Sequence, residues 1–475
     1  MQLKLTNTLY GKVETFIPLD NKKIKMYVCG PTVYDNPHIG NARALVVYDI
    51  LYRVLSAIYG RKNIIFVRNI TDIDDKIIDR ASTKGITFKN LANQIEQIFF
   101  ADCEYLNCIE PTYQPRATET IDEIIDIIQR LIDNKNAYIS QGHVYFDTSS
   151  YAEYGKLAGK ELEKLRQGVR IETTSSKKSQ ADFVLWKPSN DEENSFESPF
   201  GRGRPGWHIE CSAMSYKFLG SDFDIHGGGA DLMFPHHTNE IAQSCCAFKG
   251  SGFARYWIHN GFLSVNGEKM SKSSGNFITV RDLHNSGVKG EALRMLLLSS
   301  HYRSPIDYNQ KLLEDVKYNL DYLYRTLKNY QNKEILSFDK LPKEFQKAIL
   351  DDLNVSKAFS IMLEIASKIN KSSKNGYYNK DNKSPEEISE ELVEKYTHQL
   401  YSCGKFLGIF EENYDQWFGT FDNNLNLEIQ KLIEQRKKAK QTKDWAKADR
   451  IRDELSQKHI ILEDNPDGTT SWRKK

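Results

Sequence analysis

The sequence has no apolar run near the ~18 residues that a membrane-spanning helix needs, so no transmembrane helix is expected. Its opening stretch, MQLKLTNTLYGKVETFIPLD, lacks the apolar middle of a secretory signal. Cysteine is sparse: seven in 475 residues, at positions 29, 103, 108, 211, 245, 246 and 403. An odd, irregular set is not a disulfide framework. It points to a reducing, cytoplasmic setting and leaves metal ligation open. Charge of either sign is balanced, with 65 Lys+Arg against 64 Asp+Glu and a net of +1. A strong whole-molecule field is excluded, so any nucleic-acid contact must come from local basic patches. No internal repeat is visible.

What is present is an ordinary globular mixture, 40% hydrophobic and 27% charged, in a chain too long for one core. About three domains are expected from length. IKMYVC (24–29) suits a short buried strand that Gly30-Pro31 ends. From Asn41 to Tyr59 apolar residues recur at helical spacing: Leu45, Tyr48, Leu51, Leu55 and Ile58. A second strand over 63–70 and a helix from Asp75 complete a βαβ pattern, the unit of a parallel sheet. Residues 1–116 therefore read as the first half of an α/β domain. Residues 117–205 read as an insertion, with an isoleucine-rich helix near 118–134 and strand-like HVYFDTSS and ADFVLWKP. Strand and helix signals resume over 206–290. Residues 291–420 carry amphipathic stripes of a helical section, with a loop expected at 371–387. Residues 421–475 open on two charged amphipathic helices.

Two groups of residues carry chemistry. Cys29 has candidate partners far along the chain: Cys211 in GWHIECSAM, and His236, His237 and Glu240 in DLMFPHHTNE. Pro235 suits the first turn of a helix, which would stack His236 and Glu240 at i and i+4. Two thiolates, an imidazole and a carboxylate are borderline-soft donors that suit zinc. The plain alternative is a buried thiol and a helix-capping histidine, since the donors form no compact Cys-x-x-Cys pattern. The second group is Pro37-His38-Ile39-Gly40-Asn41, just before a helix whose N-terminal amides favour phosphate. His38 and Asn41 could donate to phosphate oxygens, and Gly40 could let a base lie against the backbone. A plain capping turn is the alternative. Glu268 to Gly275, EKMSKSSG, is a polar glycine-bounded string holding Lys269 and Lys272.

His-Ile-Gly-Asn and Lys-Met-Ser-Lys-Ser resemble the paired "HIGH" and "KMSKS" signatures of class I aminoacyl-tRNA synthetases. CGPTVYDNPHIGNAR, NITDIDDK, GWHIECSAM, HGGGADLMFPHHTNE and EKMSKSSGN together resemble the cysteinyl-tRNA synthetases, and the likeness continues to KDWAKADRIRDEL near the C-terminus. Asn41 departs from the class, which commonly has histidine there. Thr238 stands where the family often has an acid.

The resemblance implies an α/β fold: a Rossmann-type parallel-sheet catalytic domain with an inserted connective subdomain, then an α-helical bundle and a small C-terminal anticodon-binding domain. It implies a cysteine–tRNA ligase that makes cysteinyl-adenylate from L-cysteine and ATP, then charges the 3'-terminal adenosine of tRNA(Cys). By the same resemblance Cys29, Cys211, His236 and Glu240 hold one Zn2+ that selects the substrate thiol, with no editing domain. His38, Gly40, Asn41, Lys269 and Lys272 serve ATP, which Mg2+ accompanies. His226 to Gly229 and Asp231 bracket adenosine. Thr71, Trp207 and His226 line the amino-acid site with Cys29. The tRNA is expected on the C-terminal section, where 13 Lys+Arg face 10 Asp+Glu. There Arg436, Lys437, Lys438 and Lys440 meet phosphates, while Trp445 or Trp472 stacks on a base. The chain is expected to be a monomer. Two rivals remain: a related ligase that joins cysteine to a sugar amine, and a zinc-bearing tRNA binder without catalysis.

Overall fold

The computed structural model describes residues 2–159, 176–271, 274–330, 334–372, 389–419, 423–442, 444–457, 460–464 and 470–474. Two compact units emerge, one of residues 1–316, 337–339 and 343–359, the other of 317–336, 340–342 and 360–475.

The first unit is built on a four-stranded sheet. Its order is Phe253–Asn260, Asp222–Gly229, Ile24–Val28, Ile64–Arg68, and every neighbouring pair is parallel. Parallel strands buried on both faces read as near-continuous apolar runs, and IKMYV and IIFVR do so. From Ile24–Val28 the chain adds Ile64–Arg68 on one side, then Asp222–Gly229 and Phe253–Asn260 on the other. The order thus reverses between Ile24–Val28 and Asp222–Gly229. A crevice opens at the carboxyl ends of strands where the order reverses. Cys29 ends one of these strands, and Gly227 to Gly229 end the other.

Helix Ile39–Tyr59 crosses over from the first strand to the second. It begins two residues earlier than the apolar spacing indicates, because His38 and Asn41 cap it reciprocally. The Asn41 N–H donates to His38 Nδ1 (3.2 Å) and the His38 N–H to Asn41 Oδ1 (3.1 Å). Inside this helix Asp49 pairs with Arg294 and Arg53, all three at low exposure, and accepts the Ile109 N–H at 2.7 Å.

The inserted segment forms its own antiparallel sheet: Ala137–Ser140, His143–Phe146, Phe183–Pro188 and Gly203–Pro205. Helix Ile121–Asp133 turns Ile124, Ile127, Ile128 and Leu131 into a core shared with Trp186, Ile209 and Ala213.

In the second unit, Trp417 Nε1 donates to Asp321 Oδ1 (2.7 Å) and the Trp417 indole stacks on Tyr324. Helices Asn423–Gln441 and Trp445–Gln457 appear where two were expected. They are followed by an antiparallel hairpin, Ile460–Asp464 with Thr470–Lys474, that the charged sequence hid. Ile429, Ile451, Leu455 and Ile460 form its small core. The loop expected at 371–387 falls almost wholly outside the described residues. No helix of the described chain is long and apolar enough to cross a membrane.

Candidate metal centre and nucleotide site

Three elements deliver the donors. Cys29 follows the strand Ile24–Val28, its N–H bonded to the Gly227 carbonyl at 3.1 Å. Cys211 sits in helix Trp207–Leu219, and Glu240 in helix Thr238–Ala247. His236 lies just before that last helix. The expected regular first turn at Pro235 is absent: Met233–His237 is an irregular turn, with Phe234 extended and a cis Phe234–Pro235 bond. His236 still reaches Glu240, with Nε2 3.2 Å from Oε1. Cys29 Sγ lies 3.8 Å from Cys211 Sγ and 3.5 Å from Glu240 Oε1. Among the described residues these four, and an overlapping set of Cys29, His226, His237 and Glu240, bring their ligand atoms within 4.8 Å of one another.

The surroundings favour a cation. Burial, with Cys211 and Glu240 beside it, pushes the Cys29 thiol well above its ordinary value; burial pushes Cys211 up as well. Anionic donors crowded in a low dielectric oppose one another's ionisation, and a divalent cation reverses that. Burial pushes His236 down to about 3, which keeps the ring in the neutral form that ligates. His236 Nδ1 meets His208 Nδ1 at 2.9 Å, so Nε2 is the atom presented to the other donors. The residues present therefore fit a metal ion.

His226, expected on the substrate side, is fully buried and belongs to the second of these donor sets. Its Nε2 lies 2.8 Å from Glu240 Oε2 and its ring stacks on Trp257. His237 is also buried, with Nδ1 2.8 Å from His259 Nε2. His208 was missed by sequence reasoning. It lies three residues before Cys211 on one helix, a spacing that puts both on one face and could have revealed it. Trp207 is 37% exposed and stacks on His236, with ring centroids 4.4 Å apart. Thr71 is buried, its hydroxyl 3.1 Å from Glu210 Oε2.

The first signature string meets the segment just past the second. The Ile39 N–H donates to the Ile278 carbonyl and the Val280 N–H to the Pro37 carbonyl, both at 3.1 Å. A Cβ on Gly40 would lie 2.9 Å from the His38 ring and 3.5 Å from Met270 Cε, so glycine is required here by close approach. Lys269 is exposed, in a short strand paired with Leu263–Val265. Lys272 lies outside the described residues. Asp231 is exposed in the short turn Ala230–Leu232, just past the strand that ends at Gly229. In the second unit Lys437 and Lys438 are exposed, Lys440 is half-buried and Trp445 is 60% exposed. Arg436 is buried, unlike the exposed phosphate contact expected of it, because it follows Ile429 and Ile433 on the inward stripe of its helix. Trp472 belongs to strand Thr470–Lys474, with its side chain outside the described residues.

A parallel sheet with this reversal of strand order, and a capped helix tip held to the segment that follows the basic string, form the frame on which the comparisons bear. Residues 15–318 match the family described as tRNA synthetases class I (C) catalytic domain. Residues 344–411 match the DALR domain, and 422–473 match the cysteinyl-tRNA ligase anticodon binding domain. The cysteine–tRNA ligase of Rickettsia felis is 51% identical over 478 residues, with all of both chains covered. That of Rickettsia bellii is 50% identical, again over the whole of both. The methionyl-tRNA synthetase of Mycobacterium tuberculosis in complex with methionyl-adenylate shares the fold, with TM-score 0.57, 16% identity, and 81% of this chain and 89% of that one covered. The chain belongs to the cysteine–tRNA ligase family.

Proposed function

We propose that the chain activates L-cysteine with ATP to cysteinyl-adenylate and pyrophosphate, then transfers the cysteinyl group to the 3'-terminal adenosine of tRNA(Cys), with zinc selecting the thiol. The observation that carries the reading is the convergence of the four donors to within 4.8 Å of one another, with three of their separations at tetrahedral spacing. Tetrahedral zinc with Zn–S of ~2.3 Å and Zn–N or Zn–O of ~2.05 Å requires an S–S edge of ~3.8 Å, an S–O edge of ~3.6 Å and an N–O edge of ~3.3 Å. The corresponding separations are 3.8 Å, 3.5 Å and 3.2 Å. Cys29, Cys211, His236 and Glu240 would hold the ion. Zinc, when bound, would supply a soft Lewis acid that prefers the substrate's sulfur, as a fifth donor or in place of Glu240, to the hydroxyl of serine, a distinction an apolar pocket makes poorly.

The chain's own residues do the rest. Trp207 walls the cysteine pocket and Thr71 meets the substrate's amine. His38 Nδ1 accepts the Asn41 N–H, which leaves the ring proton on Nε2 to donate to a phosphate oxygen. Asn41 Oδ1 accepts the His38 N–H, so its amide Nδ2 is the donor for phosphate, in place of the class histidine. The N-terminal amides of helix Ile39–Tyr59 add partial positive charge. Gly40 admits the nucleotide and Asp231 accepts from ribose hydroxyls. Lys269 and Lys272 neutralise charge that builds on the α-phosphate and the departing pyrophosphate, and Mg2+ accompanies ATP. Residues 117–205 are the connective insertion. Residues 421–475 read the anticodon end through Lys437, Lys438, Lys440, Trp445 and Trp472, with Arg436 buried behind them. The chain works as a cytoplasmic monomer.

Metal analysis tests the reading directly. About one zinc per chain is expected, lost on chelation together with cysteine binding, while the far-ultraviolet dichroism persists. Fully active enzyme without zinc overturns the proposal. Cysteine-dependent pyrophosphate exchange followed by tRNA charging separates it from the sugar-amine ligase and from the pure tRNA binder.

A further inference from the structure

A buried hydrogen-bond chain runs through the proposed amine contact, Thr71, and ends at Glu210. It begins at Gly30, immediately after Cys29. The Gly30 N–H can only donate, and it donates to Asn69 Oδ1 at 2.8 Å. That bond settles which end of the Asn69 amide is oxygen, so Nδ2 is the group facing Thr71, and it donates to Thr71 Oγ1 at 3.2 Å. Thr71 Oγ1 in turn donates to Glu210 Oε2 at 3.1 Å. Asn69, Thr71 and Glu210 are each at most 2% exposed, so water does not compete for these bonds. The backbone is pinned as well. The Thr71 N–H donates to the Pro31 carbonyl (3.0 Å) and the Val33 N–H to the Thr71 carbonyl (3.1 Å). Gly30 also lies too close to the Asn69 backbone for any side chain, since a Cβ there would lie 1.7 Å from the Asn69 carbonyl oxygen.

A hydroxyl has one proton and two lone pairs. Here the proton is committed to Glu210 and one lone pair to Asn69. The remaining lone pair can accept and cannot donate. We propose that Asn69 and Glu210 are positioning residues that make Thr71 an acceptor-only oxygen, selecting the α-ammonium of the substrate and turning its carboxylate away, toward the nucleotide. Glu210 serves as a carboxylate, or as an acid whose proton sits on Oε1, since Oε2 must be the accepting atom. The inference rests on the cysteine-activation reading above.

The test compares L-cysteine with 3-mercaptopropionate, which keeps the thiol and the carboxylate and lacks the amine. Glu210→Met retains volume but removes the acceptor, freeing the Thr71 proton to face the substrate. The KM for cysteine in pyrophosphate exchange is expected to rise about tenfold or more, the scale of a hydrogen bond to a charged group, with kcat within about threefold. The Ki of 3-mercaptopropionate does not rise, and the zinc content stays unchanged. Glu210→Gln, which can still present an oxygen to Thr71, restores most of the affinity. Thr71→Val gives the same rise in KM with no rise in Ki, and adding Glu210→Met to it costs little more. A parallel rise of cysteine KM and inhibitor Ki, full additivity of the two substitutions, or an unchanged KM in Thr71→Val overturns the proposal. Absence of cysteine-dependent exchange in the unmutated enzyme would instead remove the underlying functional reading.

Discussion

Gly227 in the parallel sheet leaves no room for a side chain, and Gly227→Ala is a perturbation with a determined outcome. The added Cβ would lie 2.3 Å from Tyr48 Cε1, 2.7 Å from Cζ and 2.9 Å from the hydroxyl oxygen. Tyr48 cannot yield cheaply. It is fully buried in helix Ile39–Tyr59, and its hydroxyl lies 2.8 Å from the Gly228 carbonyl, 2.7 Å from the Ile258 carbonyl and 2.5 Å from the Gly228 nitrogen. Overpacking costs about 1–3 kcal/mol, and loosening the buried hydroxyl costs about 1–3 kcal/mol more. Reduced chain entropy in the unfolded state returns only about 0.4–1 kcal/mol. The net is about 1–6 kcal/mol of lost stability. The Gly227 carbonyl also holds the Cys29 N–H, so a shifted strand moves a metal donor. Urea denaturation should show an earlier transition for the catalytic unit, and metal analysis a lower content. In a Tyr48→Ala background the ring is gone, and the same substitution should cost less than about 1 kcal/mol. An equal cost with and without the Tyr48 ring would refute the steric argument.

Three further outcomes are expected. Burial alone would raise Asp49, but Arg294, Arg53 and the Ile109 N–H together hold its carboxyl below the ordinary range. Its contribution is therefore full above the unfolded value of ~3.9 and is lost as pH falls through the lower folded value. Asp49→Asn should cost about 3 kcal/mol at pH 7 and flatten the acid fall of the urea midpoint; unchanged acid sensitivity counts against it. Lys272→Ala should slow pyrophosphate exchange about 100-fold while cysteine binding measured by calorimetry stays within about twofold, and an unchanged exchange rate removes that lysine from the reaction. A chain ended near residue 420 should keep pyrophosphate exchange and lose salt-sensitive tRNA binding, and full charging by that truncated chain would exclude the C-terminal section from recognition.

Much was legible from residues alone. Strand and helix alternation in the first hundred residues is a local property, because burial on two faces demands continuous apolar runs and burial on one face demands a 3.6-residue period. Cys29, Cys211, His236 and Glu240 could be named as donors because few other side chains ligate a soft ion. Their convergence to within 4.8 Å could not be read, since it depends on the order in which four strands lie side by side. Local periodicity carries no record of that order. The irregular turn at Met233–His237, the inward face that takes Arg436, and the burial of His226 against Glu240 belong to the same category. Each is set by what packs against the residue from a distant part of the chain. Composition thus determined which chemistry was available, and the folding of the sheet decided where it meets. Only long-range packing can bring residues about 200 positions apart around one ion.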